Sequence, residues 1–216
     1  MGDALPCDPR IHATALAAPG FMPDGEGLAL REAALAAAPG AWVEVGTYCA
    51  RSTCYLGDAA RHRGATLHTV DHHRGSEENQ PGEEYHDPTL VDAEGRVDTL
   101  PGARRTLREA GLEDEVVMVV GRSTAVASAW RTPLTLLFLD GGHSSAVQHG
   151  DYDAWAPHLV AGGLLLIHDV FPDPRDGGRP PYEVFLRALR GGAFEQTAEH
   201  GSLRVLRRAR GLVSPG

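Results

Sequence analysis

The sequence predicts an α/β fold: one doubly wound, mostly parallel sheet with helices on both faces. Three observations predict it. Short β-prone segments alternate with helical ones along nearly the whole chain. Leu134–Leu139 and Leu164–Ile167 are continuous apolar runs, as strands buried on both faces require. Glycines, acids and histidines follow directly after the strand segments, where sheets of this kind bind ligands. With 216 residues and 42% apolar side chains, one core and one domain are expected.

Residues 1–26 carry Pro6, Pro9, Pro19 and Pro23 and read as an irregular lead-in, so the domain is expected over 27–210. Leu28–Ala38 is rich in alanine and leucine and predicts a helix stopped by Pro39-Gly40. A strand over Trp42–Gly46 leads into a helix over Arg51–Arg63, and Thr66–Val70 is the next strand. The polar stretch 72–101 is too long for an ordinary connection and stands as an insertion. After it come a helix at Ala103–Ala110, a strand at Val116–Val120 and a short helix at Ser123–Trp130. The central strand Leu134–Leu139 precedes a helix over Ala146–Leu159 that Gly162-Gly163 ends, and Leu164–Ile167 is the second central strand. A helix over Pro181–Leu189 precedes an antiparallel hairpin of Phe194–Thr197 and Ser202–Leu206, turning at Gly201.

The formal charge of -9 and a pI near 5.6 provide no overall basic field for a polyanion. The densest basic run, Arg204 to Arg210, falls in a terminal strand and its tail. A small-molecule partner is expected, and neither nucleic acid nor membrane. Cys7, Cys49 and Cys54 are an odd and sparse set without a Cys-x-x-Cys pair, which favours a reducing, cytoplasmic setting. There is no leader-like N-terminus and no apolar stretch near the ~20 residues that span a bilayer.

Five motifs carry chemistry. Glu44-Val45-Gly46-Thr47-Tyr48-Cys49-Ala50-Arg51-Ser52 forms the first strand-to-helix turn. Its glycine admits close approach of a ligand, but the Gly-x-Gly-x-x-Gly of a pyrophosphate site is missing, and the acid two residues earlier suits a cationic ligand. Asp71, with His72 beside it, ends the second strand, where an acid can accept hydrogen bonds from both hydroxyls of a ribose. Gly121-Arg122-Ser123 follows the third strand and either faces an adenine edge or simply caps a helix through Ser123. Asp140-Gly141-Gly142-His143 ends the fourth strand, and packing does not account for an acid and a histidine there. His168-Asp169 ends the fifth. Adjacent strand residues point to opposite faces, so His168 and Asp169 converge on one ion with Asp140 only if the strand ends or bends there. Carboxylates suit Mg²⁺ or Mn²⁺, and the imidazole admits a transition metal.

The run from Trp42 to Ser52, the stretch from Phe138 to His143, and Pro157 through Gly163 to His168-Asp169-Val170 together resemble class I S-adenosylmethionine-dependent methyltransferases. The resemblance is to the small-molecule branch with catechol, macrolide and cephalosporin O-methyltransferases, and it covers roughly Leu28 to Leu206. It implies a Rossmann-like, seven-stranded sheet with an antiparallel last strand, and a homodimer. It also implies S-adenosylmethionine as cofactor, with Glu44, Gly46, Thr47, Tyr48 and Ser52 around the methionine part. Asp71 and His72 then lie at the ribose, Arg122 and Ser123 near the adenine, and Asp140 beside both cofactor and acceptor. In metal-dependent members the positions of Asp140 and of His168-Asp169 hold Mg²⁺ or a similar ion, although Asp-Asn or Glu-Asp is usual where this chain has His168-Asp169. Asp140 and His143 are the candidate catalytic residues, His143 as the base that takes the acceptor's proton or else as a structural residue of the turn. Ala50 stands where many relatives have the last glycine of the first motif. The insertion reads as a lid offering His72, His73 or His86, or as a solvated loop; Arg175 and Arg179 could meet an anionic acceptor. Two other readings are a non-catalytic S-adenosylmethionine-binding domain and a nucleotide-binding oxidoreductase.

Overall fold

The computed structural model describes residues 5–209. Strands β1 (Ala41–Val45), β2 (Thr66–Asp71), β3 (Val116–Val120), β4 (Leu134–Leu139), β5 (Leu159–Ile167), β6 (Phe194–His200) and β7 (Leu203–Arg208) form one sheet in the order β3-β2-β1-β4-β5-β7-β6. The first five strands run parallel, and β7 is antiparallel to both neighbours. The seven-stranded, doubly wound sheet with its antiparallel last strand is as expected.

Among the described residues seven helices cover the two faces: α1 (Pro9–Ala17), α2 (Asp24–Leu35), α3 (Arg51–Arg63), α4 (Leu100–Ala110), α5 (Ser123–Ala129), α6 (Ser145–Trp155) and α7 (Arg179–Arg190). Side-chain alternation along the strands separates two cores. Trp42, Leu67, Leu136, Phe138, Leu164 and Leu166 pack with residues of α1 to α4, such as Ile11, Leu30, Tyr55 and Leu107. Val43, Val45, Leu137, Leu139, Leu165 and Ile167 pack on the other face with Ala127, Trp155, Val184 and Phe185 of α5 to α7.

The lead-in is not irregular. Pro9 is the first residue of α1, where a missing N–H costs nothing, and the Asp8 carboxylate accepts the N–H groups of Arg10 (2.8 Å) and Ile11 (3.3 Å). Pro23 likewise precedes α2, which therefore starts at Asp24 instead of Leu28. Two arginines fasten this N-terminal pair. Arg31, 3% exposed, pairs with buried Asp58 of α3 and donates to the carbonyls of Leu5 (2.6 Å) and Pro6 (3.0 Å). Arg51 donates to the carbonyls of Leu16, Ala18 and Met22 at 3.0–3.1 Å. Residues 1–4 of the expected lead-in, and Arg210 at the end of the basic run and of the expected domain, lie outside the described residues.

The helix expected to reach Leu159 stops at Trp155, because Pro157 forces a short 3-10 turn at Ala156–His158. Gly162-Gly163 is therefore no helix stop. It lies inside β5, where the β4–β5 register shifts and Gly162 adopts φ +81°. Within the insertion, short 3-10 turns at Glu77–Asn79 and Pro88–Leu90 are the only helical pieces before α4.

Candidate functional site

The strand registers place the candidate residues in one row. Val45 is level with Val70 and with Leu139, and Leu139 is level with Ile167. The next residues, Asp71, Gly46, Asp140 and His168, thus line the carboxyl edge of the sheet side by side. Gly46 donates its N–H to Val70, Asp140 to Val45 and His168 to Leu139.

The turn after β1 is tightly prescribed. Gly46 has φ +96°, and a Cβ there would stand 2.1 Å from the Asp140 carbonyl oxygen, so only glycine fits. Tyr48 and Ala50 also adopt positive φ, +47° and +69°. Ala50 takes the left-handed backbone that favours glycine, at a local strain of roughly 1 kcal/mol. Beneath the turn lies the Glu44 carboxylate, fully buried, accepting hydrogen bonds from Ser52 Oγ (2.6 Å), Thr53 Oγ1 (2.6 Å) and Thr69 Oγ1 (2.7 Å). Burial pushes its pKa up to about 7 although these three donors favour the anion. Glu44 and Ser52 therefore engage each other below the turn, and they shape it from inside. Thr47 extends this network through a hydrogen bond to Thr69.

Asp71 ties the turn to β2. One carboxylate oxygen, Oδ2, accepts the N–H groups of Thr47 (3.0 Å) and Tyr48 (2.9 Å), while Oδ1 accepts that of His73 (2.7 Å). Oδ1 retains a free lone pair for a further donor. The histidines of the insertion are otherwise employed. His72 is exposed and accepts the N–H of Arg74 at 3.0 Å. His73 is buried against the Thr99 hydroxyl at 2.7 Å, and His86 pairs with the Asn79 carbonyl at 3.0 Å. What reaches the sheet edge is Ser76, which a side chain on Gly142 would meet at 3.1 Å, and Glu78, 3.2 Å from His143 Nδ1. Further out, Tyr85 packs edge-on against Phe21, which leans on Tyr48, beside an open cleft of about 400 Å³.

Beyond β2, at the end of β3, Arg122 is exposed and precedes α5. Ser123 Oγ accepts the indole N–H of Trp155 at 2.7 Å, and the buried carboxyl of Asp151 on the same helix as Trp155 is raised by burial to about 6. Its hydroxyl is thus committed to helix packing. Nearby, Gln148 is 2% exposed, donates to the Gly141 carbonyl at 3.4 Å, and leaves Oε1 with no partner. Arg175 is paired with Asp173 through both Nε and Nη2, and Arg179 donates to the Pro172 carbonyl, so both serve the loop that holds them.

Asp140, His168 and Asp169 do converge. β5 ends at Ile167, and Asp169 adopts φ +56°, a left-handed conformation that turns its side chain back toward its neighbour. His168 Nδ1 lies 3.1 Å from Asp140 Oδ1 and 3.3 Å from Asp169 Oδ1. His143 Nε2 lies 2.9 Å from Asp169 Oδ2. Sequence reasoning missed Glu26 of α2, whose Oε2 lies 2.6 Å from His168 Nε2. Burial opposes charge on His168, but the carboxylates around it outweigh this and push its pKa up to about 12. For His143 the same contest, with Asp169 and Glu78 as partners, ends near 9. Asp169, although partly buried, is held well below the usual carboxylate range by His143 and His168. At neutral pH His143 is therefore a cation bridging Asp169 and Glu78, an arrangement in which it cannot take a proton.

One atom from each of Asp140, His168 and Asp169 lies within 4.8 Å of the others. Ligands about 2.0–2.2 Å from a common ion and at right angles stand roughly 3 Å apart, so the donor set fits a divalent cation. The unpartnered Gln148 Oε1 and the spare acceptor on Asp71 fit a nucleoside, the first as acceptor for an amino group and the second for a hydroxyl.

A family model described as a methyltransferase domain matches residues 43–170. Among solved structures, the O-methyltransferase NovP superposes with a TM-score of 0.66 at 18% identity, over 87% of this chain and 81% of that one. The O-methyltransferase from Bacillus cereus, solved with SAH, gives 0.64 at 14% identity over 96% and 94%. The O-methyltransferase TomG from Streptomyces achromogenes, solved with SAM, gives 0.60 at 15% identity over 94% and 91%. These likenesses show the shared fold.

Proposed function

The chain belongs to the methyltransferase-domain family, and from that premise we propose that it transfers a methyl group from S-adenosylmethionine to a hydroxyl of a small molecule in the cytoplasm, assisted by a divalent cation. The observation that carries this reading is the row at the carboxyl edge: Asp71, Gly46, Asp140 and His168 side by side, with Asp169 turned back into it.

The prescribed turn from Gly46 to Ser52, held by Asp71 outside and Glu44 inside, supports the amino-acid part of the cofactor. Asp71 Oδ1 receives a ribose hydroxyl. Gln148 Oε1 takes the adenine amino group in place of Ser123, whose hydroxyl is occupied; Arg122 is left to the outer rim. When bound, the cofactor supplies an electrophilic methyl group on a sulfonium, for in-line displacement by an aligned oxygen. Asp140, His168 and Asp169 would hold the cation, which supplies Lewis acidity that lowers the acceptor hydroxyl's pKa.

His143, as a bridging cation, orients Asp169 and ties down Glu78, so the insertion acts as a lid over the row. The proton of the acceptor leaves only once His143 is released from one of these carboxylates, or goes directly to solvent. Incubating the protein with S-adenosylmethionine and a panel of hydroxylated metabolites, with and without Mn²⁺ or Mg²⁺, tests the reading by mass spectrometry. Methylated product from at least one acceptor supports it, whereas stoichiometric cofactor binding without turnover of any acceptor favours a binding domain.

A further inference from the structure

We propose that Glu26 is the positioning residue of a transition-metal site: its carboxylate accepts a hydrogen bond from the Nε2–H of His168, so that Nδ1 is the nitrogen presented with Asp140 and Asp169 to the ion. The proposal rests on the metal-assisted reading above and adds to it a fourth residue, from a different part of the chain, and a preference among ions.

Glu26 is built into its place. It is 8% exposed, on α2, 142 positions before its histidine. Its Oε1 accepts the Ser202 N–H and its Oε2 the Ser202 hydroxyl, both at 2.8 Å, which leaves Oε2 directed at His168 Nε2 at 2.6 Å. Room for it exists because residue 201 is glycine: a Cβ there, at φ +55°, would stand 2.0 Å from Glu26 Oε1. The Ser202 N–H and hydroxyl both donate to it, which presents the carboxyl as an acceptor toward His168.

A neutral imidazole has one N–H. When a cation displaces the Nδ1 proton of His168, the carboxylate at Nε2 keeps the remaining N–H there, and the Nδ1 lone pair faces the two aspartates. A carboxylate on the far nitrogen also raises the basicity of the ligating one. One nitrogen and two carboxylates favour Mn²⁺ or Co²⁺ over Mg²⁺, which prefers oxygen throughout. The left-handed backbone at Asp169 is a strained conformation that the fold tolerates where this convergence is made.

The test is Mn²⁺ binding to the full chain, followed by electron paramagnetic resonance of free Mn²⁺, and the visible spectrum of the Co²⁺ form. Wild type is compared with Glu26→Gln and Glu26→Ala, with thermal unfolding in chelator and S-adenosylhomocysteine binding as folding controls. The expected result is saturable Mn²⁺ binding by wild type, tighter than Mg²⁺, weakened about 10–100-fold in Glu26→Ala and less in Glu26→Gln, with an altered Co²⁺ spectrum. If Glu26→Ala does not fold, the Glu26→Gln comparison decides. Variants that bind Mn²⁺ like wild type, with an unchanged Co²⁺ spectrum, overturn the role of Glu26 while leaving the metal site standing. A folded, cofactor-binding wild type that binds neither Mn²⁺ nor Co²⁺ overturns the metal reading itself.

Discussion

Gly46 and Asp140 meet backbone to backbone: the carbonyl oxygen of Asp140 occupies the space that a side chain at Gly46 would need, 2.1 Å from the position of its Cβ. The first turn and the end of β4 are thereby locked in one geometry. Gly46→Ala must both clash and adopt φ +96°, so a loss of about 3 kcal/mol or more in denaturant unfolding is expected, together with loss of cofactor binding.

Arg31 and Asp58 form a pair almost without solvent, with side chains 4% and 1% exposed. Removing one member leaves a charge buried alone. Arg31→Ala is expected to destabilise by about 3–5 kcal/mol, and Arg31→Met with Asp58→Leu to recover much of it, as read by a double-mutant cycle in urea. Equal effects of single and double variants would refute the pairing as the cause.

Glu44 gives a signed pH dependence. Its folded pKa, about 7, lies above the ordinary 4.5, so between those values the native state binds more protons than the unfolded chain. Stability therefore falls as pH rises from about 4.5 to 7 and levels off above, by up to ~3 kcal/mol at 1.36 kcal/mol per unit. Glu44→Gln should lack that part of the pH dependence, so that the wild-type minus variant difference falls between about pH 4.5 and 7, measured by urea unfolding across pH.

Glu78 is the polar contact between the insertion and His143. The Glu78–His143 pair is about one-third exposed on each side, so Glu78→Ala should change global stability by less than about 1 kcal/mol. Limited proteolysis should instead cut within 72–99 faster, with cofactor-analogue protection weakened. Unchanged cleavage would mean that Ser76 and Tyr85 hold the lid without it.

The apolar strands, and the acids and histidines behind them, were legible because both patterns are local. Trp42–Gly46, Leu134–Leu139 and Leu164–Ile167 announce buried strands, and the condition that β5 must bend for His168 and Asp169 to converge is met by Asp169 itself. The N-terminal helices were obscured by reading Pro9 and Pro23 as breakers, although Asp8-Pro9 is a helix-start signal. Gly162-Gly163 was read as a stop, whereas Pro157 had already ended the helix. Glu26, Glu78 and Gln148 carry no local signal: each acquires its meaning from a partner brought near only by tertiary packing. Ser123 and His143 were placed correctly along the chain, but their partners, Trp155 and the Asp169–Glu78 pair, decide what they can do.

The most direct measurement is calorimetric titration of the full chain with S-adenosylhomocysteine, with Asp71→Ala alongside. Saturable one-to-one binding by wild type, weakened about tenfold or more when the Asp71 carboxylate is lost, is the predicted result. A folded wild-type protein that shows no binding at millimolar ligand would contradict the account at its centre.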